Sequence, residues 1–183
     1  MKDDCKIIRK VLDDRSMELA IEEMALKLVR MHPDHNNLIV LGMATRGIPL
    51  ANRLCERLKE LYKADIKVGA IDATFYRDDF HYRSHVGNPE LRILSTPVVE
   101  GKTVILVDDV LYTGRSVRAA MEAVFALGRP SEVRLCCLID RGCRELPIAP
   151  DCVGESVTTA LGEEVRVRIK PIDEEDAVYL VGV

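Results

Sequence analysis

The chain has 183 residues, of which 31% are charged and 48% are apolar, and its formal net charge is −4. This length suits one domain that buries roughly 70% of the surface its unfolded chain would expose. The balance of charged and apolar residues excludes a disordered chain. A mildly acidic chain with three Phe, five Tyr and no Trp also lacks the basic stripe and stacking aromatics of a general nucleic-acid binder.

Apolar runs, cysteines and histidines bear on location and on metals. No run approaches the roughly 18 apolar residues of a membrane span, and the start MKDDCKIIRK has no apolar h-region. The six cysteines form no CxxC pair, so no disulfide framework is expected, and the four histidines have no thiol partners at zinc spacing. These features predict a soluble cytoplasmic protein with no metal held by protein ligands alone.

The first half of the chain alternates between helical and strand periodicity. Apolar residues at helical spacing predict an amphipathic helix over about 15–31, and the apolar run Leu38–Leu41 predicts a buried strand. A second helix is predicted from Pro49 to about Leu61, and alternation predicts a strand over Ile66–Ile71. The periodicity then stops between Asp78 and Pro97, in a charged segment typical of a functional or mobile loop.

The second half continues the alternation. Thr103–Val107 is the clearest buried strand, and a helix from Ser116 to about Leu127 and a strand over Val133–Ile139 follow it. After an irregular stretch rich in Pro and Gly, Glu164–Lys170 and Ala177–Val183 have strand patterns. The alternation predicts a parallel α/β sheet flanked by helices. The irregular stretch predicts a cap over the edge of the sheet, within a single domain.

The residues with the clearest chemistry follow the strand Thr103–Val107. Two adjacent carboxylates, Asp108 and Asp109, would be costly to bury unpaired, so we expect them at the carboxyl end of the sheet, where open α/β sheets bind ligands. Thr113–Ser116 then supplies two hydroxyls, a glycine, an arginine and the first N–H groups of a helix, which together make a phosphate cradle. Carboxylates that accept hydrogen bonds from a vicinal diol, next to such a phosphate cradle, are suited to binding a ribose phosphate. A helix cap would need one short polar side chain, not two acids.

Two other nucleotide-binding motifs are excluded. Gly42 and Gly47 have the spacing of half a Walker loop, but Ile48 and Pro49 stand where Lys and Ser or Thr are required. No GxGxxG occurs in the sequence. The phosphate cradle after Asp109 therefore remains the best candidate for a nucleotide site.

The segment Val107–Ser116, VDDVLYTGRS, resembles the phosphoribosyl-pyrophosphate (PRPP) motif of the type I phosphoribosyltransferases. With Thr45–Gly47 (TRG), Tyr76–Asp79 (YRDD) and Asp140–Pro147 (DRGCRELP), the resemblance extends nearly end to end to the bacterial pyrimidine-operon regulators that are also uracil phosphoribosyltransferases. It implies the type I phosphoribosyltransferase fold, with a five-stranded central parallel sheet flanked by helices, a small hood and a flexible lid loop. Within one domain over 1–183, the hood is expected at about 141–165 and the lid at about 77–97.

The resemblance also implies an activity and its partners. Uracil and PRPP would be converted into UMP and pyrophosphate by a homodimer or higher homo-oligomer. Mg²⁺ would be bound mainly through PRPP and pyrophosphate, because it is usually held by few protein ligands. Tyr112 stands where the purine-specific relatives carry an acid, which favours a pyrimidine base.

Site residues are carried over position by position. Asp108 and Asp109 match the catalytic acids that bind the ribose hydroxyls. The other predicted substrate-binding residues are Thr45 and Arg46 of the pyrophosphate loop, Val110, Leu111 and Tyr112 after the acids, Thr113, Gly114, Arg115 and Ser116 of the 5′-phosphate loop, Arg77 of the lid, and Arg141 and Val165 near the base. In the pyrophosphate loop the family tends to strain its backbone so that an amide faces the pyrophosphate.

Three of these arginines have simpler alternatives. Arg46 could be an ordinary surface residue on a loop. Arg77 could form a solvated ion pair with the aspartates beside it, which would contribute little. Arg141 could anchor the hood through Asp140 instead of contacting a ligand.

Relatives of this kind commonly bind the leader of pyrimidine mRNA through one face of the dimer. The usual Thr, Arg and His of the first helix align with Glu22, Glu23 and Leu26, and a usual Arg and Lys align with Ala149 and Glu155. Acids on a surface that faces phosphates repel a polyanion. We therefore predict that the chain keeps the transferase chemistry and has lost, or rewired, tight leader binding.

Other interpretations remain open at the level of sequence. Glu22 and Glu23 are equally consistent with a solvated helix face on which Glu23 pairs with Lys27. The alternative function is an RNA-binding regulator of pyrimidine operon attenuation that uses the PRPP pocket as a nucleotide sensor. A third interpretation is a transferase for another base.

Overall fold

The computed structural model describes residues 6–72 and 97–183. Within these ranges the helices are α1 (Asp14–Met31), α2 (Gly47–Tyr62) and α3 (Arg115–Leu127). The strands are β1 (Lys6–Leu12), β2 (Leu38–Met43), β3 (Lys67–Ile71), β4 (Thr103–Leu111), β5 (Glu132–Asp140), β6 (Cys152–Ser156), β7 (Glu163–Arg168) and β8 (Ala177–Gly182). In the described ranges no helix is both long and apolar enough to cross a membrane.

Five strands form a parallel sheet in the order β3-β2-β4-β5-β6, which confirms the predicted α/β architecture. Apolar side chains cover both faces of this sheet. One face packs against α1 and α2 through residues such as Ile21 and Leu54, and the other packs against α3 through residues such as Val124. A parallel sheet buried on both faces explains why β2 and the first part of β4 are continuous apolar runs. β4 lies at the centre, so its carboxyl end is the middle of the sheet's edge.

A second, smaller sheet has three antiparallel strands in the order β1-β8-β7. We call it the small sheet. Val167, Val178 and Leu180 on one of its faces join the same apolar cluster as α1 and α2. The small sheet therefore combines the first and last described strands of the chain and is fixed to the parallel sheet by shared core packing.

The structure corrects the expected extent of the hood and two strand assignments. Residues 141–165 do not form a hood by themselves, because β6 lies within them and pairs with β5 in the parallel sheet. The strand β1 was not predicted, since its residues are exposed almost throughout and show no alternation of apolar and polar positions. β4 also extends past Val107 to Leu111, so Asp108 and Asp109 lie inside the strand.

Close packing at Gly47 brings the start of α2 against β4. A Cβ atom at Gly47 would lie only 2.5 Å from the carbonyl oxygen of Val107 and 3.4 Å from the Cα atom of Asp108. Only a glycine allows this approach, and it places the loop before α2, with Thr45 and Arg46, beside the acids of β4.

We expect Gly47→Ala to destabilise the protein, because the added methyl group overlaps the backbone of β4. Overpacking of this kind typically costs about 1–3 kcal/mol, which corresponds to a fall of roughly 2–10 °C in melting temperature for a chain of this size. Gly182→Ala is the matched control, since the nearest atom to its added Cβ is 3.8 Å away. Equal melting temperatures of the two variants by circular dichroism would contradict the close contact.

Candidate active site

Asp108 and Asp109 lie near the carboxyl end of the central strand β4. Asp108 is only 8% exposed, and its Oδ1 atom accepts a hydrogen bond of 2.9 Å from the backbone N–H of Asp109. Burial raises the pKa of Asp108 well above its ordinary value, and the charge of Asp109 raises it further. Asp109 is half-buried and lines a cavity. The site thus contains one carboxyl that resists ionisation and another that faces the cavity.

The predicted phosphate loop follows β4. Gly114 has φ +91°, a left-handed conformation that favours glycine, and it forms the N-terminal cap of α3. The backbone N–H of Arg115 donates to the Thr113 hydroxyl oxygen at 3.3 Å. A turn of this shape directs the N-terminus of α3 toward the end of the strand, which is an arrangement that attracts phosphate.

Arg46 lies in the loop between β2 and α2, where the peptide bond joining Ala44 and Thr45 is cis. Its guanidinium forms a two-pronged pair with Asp173: Nε donates to Oδ2 at 2.9 Å and Nη2 donates to Oδ1 at 2.8 Å. The Asp173 carboxylate also accepts from the backbone N–H of Ile169 at 2.9 Å. The bond from Arg46 lowers the pKa of Asp173. Arg46 is therefore held by the segment between β7 and β8 and is not a free surface residue.

These groups meet in one cavity. Arg46, Asp109, Asp173 and Val165 line a cavity of about 580 Å³, together with Arg166, Val167, Arg168, Ile172 and Glu174. The cavity lies between the carboxyl end of the parallel sheet and strand β7 of the small sheet. Three residues selected from distant parts of the sequence, Arg46, Asp109 and Val165, are thus brought together.

Arg141 and Tyr112 lie in a neighbouring cavity of about 370 Å³, between the end of β5 and the segment before β7. The Arg141 guanidinium lies 3.9 Å from the centre of the Tyr112 ring, donates to the Thr159 hydroxyl at 3.1 Å and donates to the Glu163 carbonyl oxygen at 2.6 Å. The alternative anchor through Asp140 is not formed, because Arg144 pairs with Asp140 instead. Arg141 thus fixes the segment before β7 over Tyr112.

The remaining predicted residues have different positions. The Leu111 side chain belongs to the core, while its carbonyl oxygen accepts from the Arg141 N–H at 2.9 Å. Val110 is half-buried and packs against the core on the other side of the sheet. Arg77 and most of the predicted lid, residues 77–96, lie outside the described residues.

Sequence reasoning missed Asp173 and Arg144, both of which hold the site together. Asp173 begins the acidic run Asp173–Asp176, which has the pattern of a solvated turn. Arg144 was quoted only as part of the DRGCRELP segment. No local signal distinguishes Asp173 from an exposed charge, since its partner Arg46 lies 127 positions away. Arg144 has the nearby partner Asp140, but its other acceptors are backbone carbonyl groups, which every residue carries.

The acids of the site do not form a metal centre with other described side chains. In the parts of the chain that the structure describes, no group of three or more His, Cys, Asp or Glu side chains is arranged to hold a metal ion. Asp109 is nevertheless open to the cavity, beside the Arg46 guanidinium. One or two carboxylates with substrate phosphates are the usual environment of Mg²⁺ in such sites, so these residues fit an ion that arrives with a phosphorylated substrate.

The fold and the arrangement of this site are those of a phosphoribosyltransferase. The family model for the phosphoribosyl transferase domain matches residues 8–168. A hypoxanthine-guanine phosphoribosyltransferase from Bacillus anthracis superposes with a TM-score of 0.72 at 18% identity, covering 97% of this chain and 99% of that one. A hypoxanthine phosphoribosyltransferase from Trypanosoma cruzi superposes with a TM-score of 0.73 at 17% identity, covering 95% of each chain. These structural similarities support the assignment of the fold.

Curated relatives narrow the assignment. Bifunctional protein PyrR 1 of Lactiplantibacillus plantarum is 44% identical over 173 residues, which are 94% of this chain and 96% of the relative. Bifunctional protein PyrR of Pelotomaculum thermopropionicum is 43% identical over 173 residues, which are 94% of each chain. The chain belongs to the phosphoribosyltransferase family, and within it to the PyrR proteins. The predicted fold class and the predicted family are both confirmed.

We expect Asp108→Asn to stabilise the fold at neutral pH. A carboxyl whose pKa is raised by folding binds its proton more tightly in the folded than in the unfolded protein, so stability falls as the pH rises above the ordinary Asp range. The amide has no such cost, and one pKa unit corresponds to about 1.4 kcal/mol, or roughly 3–6 °C in melting temperature.

Thermal melts between pH 4 and pH 8 test this expectation. The gain of the variant over the wild-type chain should grow with pH and be smallest near pH 4, close to the ordinary pKa of Asp, where about half of the unfolded acid is also protonated. Asp109→Asn should give a smaller gain, because it removes only the neighbouring charge. A gain independent of pH would contradict a raised pKa of Asp108.

Proposed function

We propose that the chain transfers the phosphoribosyl group of PRPP to uracil, with release of pyrophosphate and formation of UMP. The observation that carries this proposal is that an acid of β4 and Arg46 face one cavity, at the strand end from which the phosphate loop begins. A bound PRPP has three charged or polar parts, and each finds a complementary group: the diol an acid, the 5′-phosphate a helix N-terminus, and the pyrophosphate an arginine.

The chemistry needs positioning and electrostatics and no nucleophilic side chain. The bond between the ribose C1 atom and pyrophosphate breaks, N1 of uracil bonds to C1, and the N1 proton is released. As the bond breaks, positive charge develops on the ribose and negative charge on the leaving group. The Asp109 carboxylate stabilises the sugar, and Arg46 stabilises the departing pyrophosphate. Mg²⁺ brought in with the substrate phosphates and held by Asp109 would supply further positive charge at the leaving group.

Asp173 keeps Arg46 ready for this role. Its two-pronged pair holds the guanidinium beside Asp109 in the absence of substrate, so little side-chain freedom is lost when pyrophosphate binds. The arginine also adds a positive charge near Asp109, which balances part of the charge of that carboxylate before substrate arrives.

The free edge of β7 supports recognition of the base. The Glu163 carbonyl oxygen points away from β8, because it accepts from Arg141. Backbone groups alternate along a strand, so the N–H and C=O of Val165 point to the same free edge. An adjacent donor and acceptor complement the N3–H and O4 groups of uracil, and Val165 lines the cavity that also contains Asp109.

Two further proposals concern the setting of the enzyme. The described cysteines, Cys55, Cys136, Cys137, Cys143 and Cys152, are free thiols, which suits the reducing cytoplasm. We also propose a homodimer or larger homo-oligomer, as the family resemblance implies.

Purified protein should form UMP from uracil and PRPP with Mg²⁺, and should be inactive with hypoxanthine and orotate. The double variant Asp108→Asn with Asp109→Asn should lose at least about a thousandfold in kcat/KM, which corresponds to about 4 kcal/mol of transition-state stabilisation. The measurement is product formation followed by chromatography.

A matched control for this experiment is Asp65→Asn, which removes an exposed carboxylate paired with Lys59 far from the site. It should keep wild-type rates. Near-normal turnover by the double variant would refute the ribose role of the acids, and turnover of hypoxanthine or orotate would refute uracil specificity.

Binding of a pyrimidine-operon leader is a separate question for this chain. Glu22 and Glu23 are exposed on α1, and Glu155 is exposed on β6. Glu23 and Glu155 line one groove of about 340 Å³ between α1 and β6, so acids from two elements meet on the same surface. Ala149 is exposed nearby in sequence and carries no charge. This acidity supports the proposal that tight leader binding is lost or rewired here.

A filter-binding titration with a pyrimidine-operon leader at low salt tests this proposal. We expect no submicromolar binding with or without UMP, because acids replace the cations that would release counterions from phosphates. Glu23→Lys combined with Glu155→Lys should tighten binding by about tenfold or more. Submicromolar binding by the wild-type chain that UMP strengthens would overturn the proposal.

A further inference from the structure

A second loop lies against the phosphate loop. After β5 the chain turns through Gly142–Ile148, which we call the bracing loop. Within it, the backbone N–H groups of Glu145 and Leu146 donate to the carbonyl oxygen of Thr113 at 3.0 and 3.1 Å. Gly114 also lies against this loop, since a Cβ there would be 3.4 Å from the Cβ atom of Ile148, an ordinary contact distance. The phosphate loop therefore has a packed support on the side of the bracing loop.

The Arg144 side chain is the centre of this support. Its Nη1 atom donates to the carbonyl oxygens of Tyr112 at 2.9 Å and Gly142 at 3.1 Å, with a longer contact of 3.4 Å to that of Leu111. Its Nε atom donates to the Ile148 carbonyl oxygen at 3.0 Å. The guanidinium thus connects the end of β4 with both ends of the bracing loop.

A carboxylate completes the arrangement. The Nη2 atom of Arg144 donates to Oδ1 of Asp140 at 2.7 Å, and the same oxygen accepts from the backbone N–H of Gly142 at 2.9 Å. The Arg144 side chain is 20% exposed, so these bonds are partly shielded from water. Charged donors make stronger hydrogen bonds than neutral ones, and shielding increases that difference.

We infer that Arg144 is a positioning residue for the 5′-phosphate site. Through the Tyr112 carbonyl it fixes the chain where β4 ends and the phosphate loop begins, and through the bracing loop it fixes Thr113 and Gly114. In the parts of the chain that the structure describes, the acceptors of Arg144 are the Asp140 carboxylate and backbone carbonyl groups, and none of them is an acid that lines the cavity with Asp109. This role rests on the proposed function, because it assigns the 5′-phosphate of PRPP to Thr113–Ser116.

A lysine cannot replace Arg144 in this role. The acceptors surround a planar fork from several directions, whereas an ammonium group is a single point with three donors. The ion pair between side chains of the two loops contributes less. Arg115 pairs with Glu145 at 2.6 Å, but both side chains are about half exposed, and exposed pairs contribute little.

The test compares Arg144→Gln and Arg144→Lys with Arg134→Gln. Arg134 is the matched control, because it also lies on the β5 side of the fold and pairs with Asp151 at 3.1 Å and Glu132 at 2.9 Å, remote from the phosphate loop. For each variant we would measure the KM for PRPP, the Kd for ribose 5-phosphate by calorimetry, and the melting temperature.

We expect both Arg144 variants to raise the KM for PRPP and the Kd for ribose 5-phosphate at least tenfold. Arg134→Gln should leave both within twofold of wild type, whatever its melting temperature. A purely structural role would lower the folded fraction, and with it the apparent kcat, without changing the KM or the Kd. A KM for PRPP and a Kd for ribose 5-phosphate within twofold of wild type in the folded Arg144 variants would overturn the inference. If Arg144→Gln does not fold, the same two measurements on Arg144→Lys decide the question.

The ribose 5-phosphate measurement separates this inference from the proposed function. If the wild-type chain formed no UMP but bound ribose 5-phosphate, the proposed transfer to uracil would be wrong. The Kd values of the Arg144 variants for ribose 5-phosphate would still decide the role of Arg144. If the wild-type chain bound no ribose 5-phosphate, the positioning role would fail as well.

Discussion

The structure depends on the placement of two adjacent carboxylates near the carboxyl end of β4, the central strand of its parallel sheet. Burial makes Asp108 resist ionisation, and the neighbouring charge of Asp109 adds to this effect. At neutral pH such a pair opposes folding, so the rest of the fold must offset it. A parallel sheet with helices on both faces supplies the required apolar core and leaves its carboxyl edge open to a ligand.

Arginines connect this edge to segments that are distant in sequence. Arg46 reaches the segment between β7 and β8 across 127 positions, and Arg141 ties the start of β7 to the end of β5. In each case the planar guanidinium binds two acceptors at once, which sets orientation as well as distance. The small sheet is thereby held over the parallel sheet by polar contacts around a cavity, by the ion pair of Arg53 on α2 with Asp176, and by shared apolar packing. A site built in this way is shaped before any substrate arrives.

The groove between α1 and β6, with Glu23 and Glu155, is a second surface of this chain. It shares no lining residue with the cavity that contains Asp109 and Arg46, so its charge can change without altering the residues that face the cavity. The proposed transfer chemistry and the proposed loss of leader binding therefore rest on different residues. Acids can occupy the groove without any change to the cavity of the proposed PRPP site.

The sequence by itself determined the strands and helices with strong periodicity, the acids of β4 and the phosphate loop. Each of these has a local sequence pattern. A buried strand is a run of apolar residues, and a phosphate loop needs a glycine and hydroxyls at adjacent positions. Arg46 and Val165 were also identified, but only through resemblance to a family. The tertiary structure alone decided that β1 pairs with β8, that Asp173 holds Arg46, and that Arg144 gathers carbonyl groups from β4 and the bracing loop. These contacts join residues far apart in the chain or use backbone acceptors common to every residue. The local pattern of side chains therefore does not predict them.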